Sequence, residues 1–155
     1  MLDLSMEVDG PLAIYRRMQE ALLVGEGGTL LPADLLAEDV VVETPFLPEG
    51  LRRHEGREAW LAYYRASAAA ALVRYEAFRE LATRPTLDPE VVVVEYELTG
   101  TVTTTGVRAS VTCIAVQRVR EGLVVHWREY QDVLAISEAL GRAPAGLGGA
   151  ETPAR

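Results

Sequence analysis

The sequence predicts an α+β domain: a curved antiparallel sheet wrapped as a cone and packed on about three N-terminal helices. Three observations predict it. Apolar residues recur at helical spacing in two stretches of the first half. From about residue 73 onward the pattern becomes β-branched and alternating, broken by short turn signals. No linker separates two hydrophobic blocks, so the 155 residues share one core.

The elements follow in order. Residues 1–10 read as a loose leader, without the basic start and apolar stretch of a signal peptide. From Pro11 to Val24, Leu12, Tyr15, Met18 and Leu22 fall on one helical face, and proline suits a first helical turn. "GEGG", 25–28, ends that helix. "PADLLAED", 32–39, reads as a short second helix. "VVVETPF", 40–46, is β-branched and reads as a strand. "LPEGLRRHEG", 47–56, is a loop. "REAWLAYYRASAAAAL", 57–72, is a third helix whose alanines supply propensity and whose Trp60, Leu61 and Tyr64 supply an apolar face. Strands are expected over 73–83, 89–100 and 107–120, with "TTTG", 103–106, as a hairpin tip and "EG", 121–122, as a tight turn. "DVLAISEALG", 132–141, closes the single domain (11–141) as a short helix or turn. Residues 142–155 are small and polar and read as a disordered tail.

Composition narrows the partners. Hydrophobic residues make up 49% and charged residues 25%, the balance of a soluble protein. A formal net charge of −8 repels phosphate and anionic lipid, which argues against nucleic acid and membrane surfaces. No apolar run reaches the ~18 residues of a spanning helix. One cysteine and two histidines argue against an internal disulfide and against a metal centre. No cofactor is expected, and a reducing cytoplasm fits.

One strand raises a chemical question. In "GLVVHWREYQD", 122–132, strict alternation puts Val125, Trp127, Glu129 and Gln131 on one face, and Val124, His126, Arg128, Tyr130 and Asp132 on the other. A carboxylate then lies in line with the residues of a core face. On the preceding strand the same logic groups Cys113, Ala115, Gln117 and Val119 inward, while Glu43, Glu95 and Glu97 fall on outer faces.

The stretches "LLAEDVVVETPFLPEGLRRHEGREAWLAYY", "DPEVVVVEYELTG" and "CIAVQRVREGLVVHWREYQDVLAISEALG" together resemble the SnoaL-like branch of the NTF2-like superfamily, over residues 11–141. The resemblance implies an NTF2-like cone, a homodimer and a pocket at the mouth of the cone. It also implies a choice of chemistries, among them polyketide cyclase, ketosteroid isomerase, dehydratase, epoxide hydrolase and non-catalytic binding domains. Where a ketosteroid isomerase carries its aspartate base before a proline, this chain has Thr44. The two oxyanion donors of that enzyme fall on Met18 and Ala115. Threonine cannot take a proton from a carbon acid at neutral pH, so the steroid-isomerase mechanism is disfavoured. Epoxide hydrolysis is disfavoured too, because its paired aspartates and arginine are not found on inner faces. In SnoaL-like and phenazine-type relatives the last strand carries an acid into the pocket, and "WREYQDVLA" places Glu129 there. The same resemblance brings His54 to the pocket from the loop before the third helix.

Each candidate has two readings. Glu129 is a general acid or base with a raised pKa in apolar surroundings, or a surface carboxylate paired with Arg128 or Arg118. His54 steadies a substrate oxygen, or is a loop histidine satisfied elsewhere. His126, on the other face, reads as a surface or dimer contact. Phe46, Trp60, Tyr64, Tyr96 and Trp127 wall an apolar ligand or simply pack. Tyr15 and Tyr63 are further candidates, and the helix phase leaves open whether Tyr63 or Tyr64 points inward. Cys113 reads as a small core residue on the pocket face. Gln117 binds a substrate carbonyl or ties down Thr44 or a tyrosine. The basic loop "GLRRHEGR", 50–57, meets an anionic group or only solvent.

These readings combine into a cofactor-free cyclase acting on a small hydrophobic, polyketide-type molecule. It works by acid/base assistance from Glu129 and His54, or by shaping the substrate in an apolar pocket. Catalytic residues are then Glu129 and His54, and substrate-binding residues are Thr44, Phe46, Trp60, Tyr64, Tyr96, Cys113, Gln117 and Trp127. The alternatives are an isomerase, dehydratase or epoxide hydrolase of the same superfamily, or a non-catalytic ligand-binding or dimerisation domain.

Overall fold

The structure, a computed structural model, describes residues 10–24 and 33–141. The leader apart from Gly10, the "GEGG" helix end and the tail over 142–155 lie outside the described residues. Along the chain run helix α1 (Pro11–Val24), a 3-10 turn (Ala33–Leu35), strands β1 (Leu36–Glu43) and β2 (Arg53–Glu55), and helix α2 (Arg57–Ala71). Strands β3 (Val73–Pro85), β4 (Val91–Val102), β5 (Arg108–Arg120) and β6 (Leu123–Gln131) and helix α3 (Val133–Ala139) follow.

One six-stranded sheet, curved and unclosed, runs in the order β2-β1-β6-β5-β4-β3. The helices α1 and α2 pack against it around one core. Each helix buries a stripe because its apolar residues recur every three or four positions. In α1 these are Ile14, Tyr15, Met18 and Leu22; in α2 they are Trp60 and Leu61. Gly56, with φ of 93°, accepts the first backbone bond of α2 from Trp60 N at 3.1 Å. Among the described residues no helix is long and apolar enough to cross a membrane.

Strands β3 to β6 form the expected meander of antiparallel neighbours. The sheet is not antiparallel throughout, however: β1 pairs with β6 in parallel. A chain that goes from β1 through a helix and a hairpin before returning beside β1 can arrive in either sense. Here the parallel arrangement buries Leu36, Val40 and Val42, with β1 in contact with both α2 and β6.

Further expectations are corrected. Of the short helix expected over 32–39, residues 33–39 are described and are not an α-helix: after one 3-10 turn, β1 starts at Leu36. Pairing with β6 overrides the local helix-formers, and an irregularity between Leu36 and Val41 disguises the alternation. β1 also stops at Glu43, because Thr44 and Pro45 turn the chain and proline has no N–H for a ladder. The presumed loop 47–56 contains β2, paired to β1 through Val41, Val42 and Glu43. The third regular helix is C-terminal, capped by the Asp132 carboxylate, which accepts from Ala135 N at 3.0 Å.

Bulges shape the concave face. β3 shifts register at Tyr75/Ala77 and again at Glu80/Ala82, which bends this long edge strand. In β6 the register slips between Val124 and His126, so Val124, fully buried, takes the inward place that strict alternation gives to Val125. Beyond the slip, Trp127 and Glu129 point inward as expected.

The β5–β6 turn holds Glu121 at φ 51° and Gly122 at φ 75°, the geometry of a type I′ hairpin. Glutamate is a poor residue for a left-handed position, and asparagine is a good one. Glu121→Asn is expected to stabilise the fold by about 0.5–1 kcal/mol, measured by urea denaturation. An unchanged or lower midpoint contradicts the strain assigned to this turn.

Candidate active site

The site is built on strand alternation. On β4, Val92, Val94, Tyr96 and Leu98 face inward; on β5, Cys113, Ala115, Gln117 and Val119 do. Register places Ala115 directly opposite Glu129, so a methyl group leaves room for the carboxyl, and it places Tyr96 opposite Cys113. Glu129 is 4% exposed. The Tyr96 hydroxyl donates to its Oε1 at 2.7 Å, and Gln131 Nε2 donates to the same oxygen at 3.0 Å. The other oxygen, Oε2, has no hydrogen-bond partner among the described residues.

Neither surface pairing foreseen for Glu129 occurs. Arg128 lies on the outer face and binds Glu43 at 2.8 Å, and Arg118 binds Asp88 at 2.8 Å. His126 also meets Glu43, at 2.6 Å. Burial alone would push Glu43 up. The His126 and Arg128 hydrogen bonds, with the charge behind them, outweigh burial and hold its carboxyl at about 2.

Glu129 has the opposite environment. Burial pushes its pKa upward, and the hydrogen bonds from Gln131 and Tyr96 oppose this only in part. Its neighbours respond. Burial and the Glu129 charge raise Tyr96, Tyr15 and Tyr75 above the ordinary phenol range, and the same two causes push the Cys113 thiol up to about 12. Cys113 is therefore a neutral wall residue and not a nucleophile at neutral pH.

Glu129 opens onto a cavity of about 200 Å³. Its floor is Glu129, Tyr96 and Cys113; its walls come from Tyr64 on α2, Tyr75 on β3, the β4–β5 hairpin and α3. Glu129 is the one charged residue lining it among the described residues. Among those residues, too, no cluster of three His, Cys, Asp or Glu side chains is arranged to hold a metal ion.

Of the sequence candidates, Glu129, Tyr64, Tyr96 and Cys113 meet at this cavity. The phase of α2 turns Tyr64 toward it, while Tyr63 stacks on His54 with centroids 4.2 Å apart. His54 is held among Tyr63 and Trp60, away from the cavity lining, and its buried Nε2 has no partner among the described residues. Trp60 and Trp127 meet edge to face at 5.6 Å and lie behind the lining, in the core. Gln117, fully buried, donates to Met18 Sδ at 3.1 Å. Thr44 Oγ1 donates to the Leu51 carbonyl at 3.1 Å, bracing the turn after β1. Phe46 is 60% exposed, packs its edge on Tyr130 and lines a separate shallow groove with Val133 and Ile136.

Sequence reasoning did not select Tyr75 or the inner face of α3. The alternation of Val73 and Tyr75 is a usable signal for the first. The second depends on how α3 folds back, which no periodicity reveals.

This topology is the NTF2-like, ketosteroid isomerase-like fold, which solved structures described in those words share. The SnoaL-like domain family matches residues 16–127, and the chain belongs to it. An uncharacterised PhzA/B-like protein of Pseudomonas aeruginosa is 32% identical over 113 residues, covering 72% of this chain and 78% of that protein. A Bacillus subtilis structure, provisionally named an isomerase, superposes with TM-score 0.75 at 25% identity, covering 86% of this chain and 94% of the other. A Xanthomonas campestris structure, provisionally named a polyketide cyclase, shares the fold with TM-score 0.66 at 20% identity, over 83% and 95% of the two chains.

The burial of Glu129 carries a stability signature. The fold favours its protonated form, so the native protein holds this proton more tightly than the unfolded chain. The group's contribution is full below the ordinary glutamate range and is lost as pH rises through the raised native value. Relative to wild type, Glu129→Gln is therefore expected to gain stability as pH rises from the ordinary glutamate range through the raised native value, read from denaturation midpoints. A variant that loses stability over that interval contradicts a buried, proton-holding glutamate.

Proposed function

We propose that this protein is a cofactor-free acid/base catalyst that cyclises a small, neutral, hydrophobic molecule of polyketide type. The observation that supports this most is Glu129, a buried carboxyl that lines an apolar cavity and whose Oε2 has no hydrogen-bond partner among the described residues. A filled cone, or a paired or exposed Glu129, would have suited a purely structural domain.

The chemistry follows from the geometry. Tyr96 and Gln131 hold Oε1, and Oε2 has no hydrogen-bond partner among the described residues. As carboxylate, Oε2 takes a proton from a carbon flanked by a carbonyl. The electron pair left on that carbon attacks a second carbonyl carbon of the same molecule and closes a C–C bond. The protonated Glu129 then returns its proton to the new alkoxide, and the enzyme is unchanged. Desolvation makes the carboxylate a stronger base than it is in water. Holding both reacting carbons in one small cavity supplies much of the remaining acceleration. His54, outside the lining, has no place in this step.

Size limits the substrate. An apolar cavity of about 150 Å³ holds benzene, so about 200 Å³ admits a six-membered ring with a few further atoms. A fused polycyclic product would extend out of it through its open side. The name given to the Bacillus subtilis structure favours a second reading, isomerisation. That reaction uses the same Glu129 proton transfer and omits ring closure.

The proton transfer can be assayed without the natural substrate. Wild type is expected to accelerate deuterium exchange at the α-carbons of 4-methylcyclohexanone, followed by proton NMR. The rate should rise with pH through the raised Glu129 value, since the carboxylate is the active form. Glu129→Gln should lower it by at least about 100-fold. A flat pH profile, or an unchanged variant, removes Glu129 from the mechanism and leaves substrate shaping as the explanation.

A further inference from the structure

Two segments leave the sheet at the same end and enclose a second hollow. Because β1 and β6 run parallel, β1 passes into the turn 44–52 and β6 passes into α3 beside it. Phe46, Leu47 and Pro48 from the turn, with Val133 and Ile136 from α3, line a groove of about 80 Å³. No charged residue lines it among the described residues.

The groove and the Glu129 cavity share two lining residues, Gln131 and Ile136. A single layer of side chains therefore divides the two hollows. Gln131, half-buried, follows Glu129 on the inner face of β6 and donates to its Oε1 at 3.0 Å. One half of the partition thus touches the group proposed to react. The other half, Ile136, sits on a helix that buries none of its residues, and an element with few buried contacts moves at low cost.

The turn presents its apolar groups on a fixed frame. Leu47 N donates to the Thr44 carbonyl at 3.0 Å, Thr44 Oγ1 to the Leu51 carbonyl at 3.1 Å and Arg52 Nε to the Leu47 carbonyl at 2.6 Å. Phe46 is held there 60% exposed, with the Tyr130 ring packed on it at 5.4 Å between centroids. With Leu47, Pro48 and Val133 beside it, this is a contiguous apolar patch and not one stray hydrophobe.

Size decides the occupant. A protein partner needs about 20–30 residues a side, and seven line this groove. About 150 Å³ holds the six carbons of benzene, so a groove of about 80 Å³ holds about three carbons of a chain.

We infer that the groove is a second subsite for the molecule bound in the Glu129 cavity, and that it takes an uncharged aliphatic tail passing beside Gln131 and Ile136. The substrate class is then a single ring, or the precursor of one, with a short apolar side chain. The inference rests on the proposed ligand cavity, but not on proton transfer by Glu129.

The test is calorimetric titration of wild type, Phe46→Ala and Leu47→Ala with 4-methylcyclohexanone and 4-butylcyclohexanone. Each buried methylene tightens binding by up to about four-fold. The butyl probe is therefore expected to bind wild type at least about ten-fold more tightly than the methyl probe. A smaller ratio overturns the inference, as does failure of wild type to bind either probe. Phe46→Ala removes one wall of the groove and is expected to lower the ratio about four-fold. A ratio within two-fold of wild type there overturns the inference, because the tail then leaves through the open side of the cavity. Should Phe46→Ala not fold, Leu47→Ala removes a neighbouring wall and reads the same ratio, and an unchanged value there overturns it equally. Deuterium exchange of 4-methylcyclohexanone, which carries no tail, reports on Glu129 alone, so loss of the subsite and loss of the base are separable results.

Discussion

The structure depends on one buried hydrogen bond, from the Tyr96 hydroxyl to Glu129 Oε1 at 2.7 Å. A carboxyl group enclosed in an apolar cone has no cation to offset its desolvation, so it survives there only if its oxygens are served or its proton is kept. Tyr96 and Gln131 serve one oxygen; the other is buried without a hydrogen-bond partner among the described residues. That asymmetry is what the proposed acid/base role builds on.

Strand alternation separates the charges that would otherwise neutralise Glu129. Arg128 and His126, its neighbours along β6, point to the outer face and are bound there by Glu43. Arg53 of β2 joins them at 3.0 Å from Glu43, so the outer cluster spans three strands. His126, Arg128 and Arg53 are held by a carboxylate whose own pKa is low, and the inner carboxyl's pKa is raised. Two glutamates on the faces of one sheet thus acquire opposite protonation behaviour from packing alone. The small Ala115 and the slip at Val125 complete the arrangement, one by making room and the other by setting which residues of β6 face inward.

Much of this was legible in the residues. On β5 the inward residues Cys113, Ala115, Gln117 and Val119 were identified from the period of two, and on β4 the same period put Glu95 and Glu97 outward. The acidic residue in line with Trp127 marked the site, because a carboxylate on an apolar face is the informative exception. What was not legible came from tertiary geometry. The strand at Leu36 is disguised by its own irregular pairing, and the parallel β1–β6 contact has no local signature. Val124 and Val125 exchange places because of a bulge that periodicity cannot show. The set of aromatic residues was found, but its partition was not: Trp60 and Trp127 pack against each other, while Tyr64 and Tyr75 line the cavity. That division depends on the phase of α2 and on the return of α3, and both are fixed only by contacts distant in sequence.

The claim that Glu129 is a poised acid or base rests on its protonation in the folded protein. The most direct measurement is a carbon-13 NMR titration of its side-chain carboxyl, assigned against Glu129→Gln. The account predicts a midpoint displaced above the ordinary glutamate range, with the Tyr96 ring resonances following the same transition. A midpoint at the ordinary value, with Tyr96 unresponsive, would place the carboxyl in water and contradict both the buried hydrogen bond and the mechanism built on it.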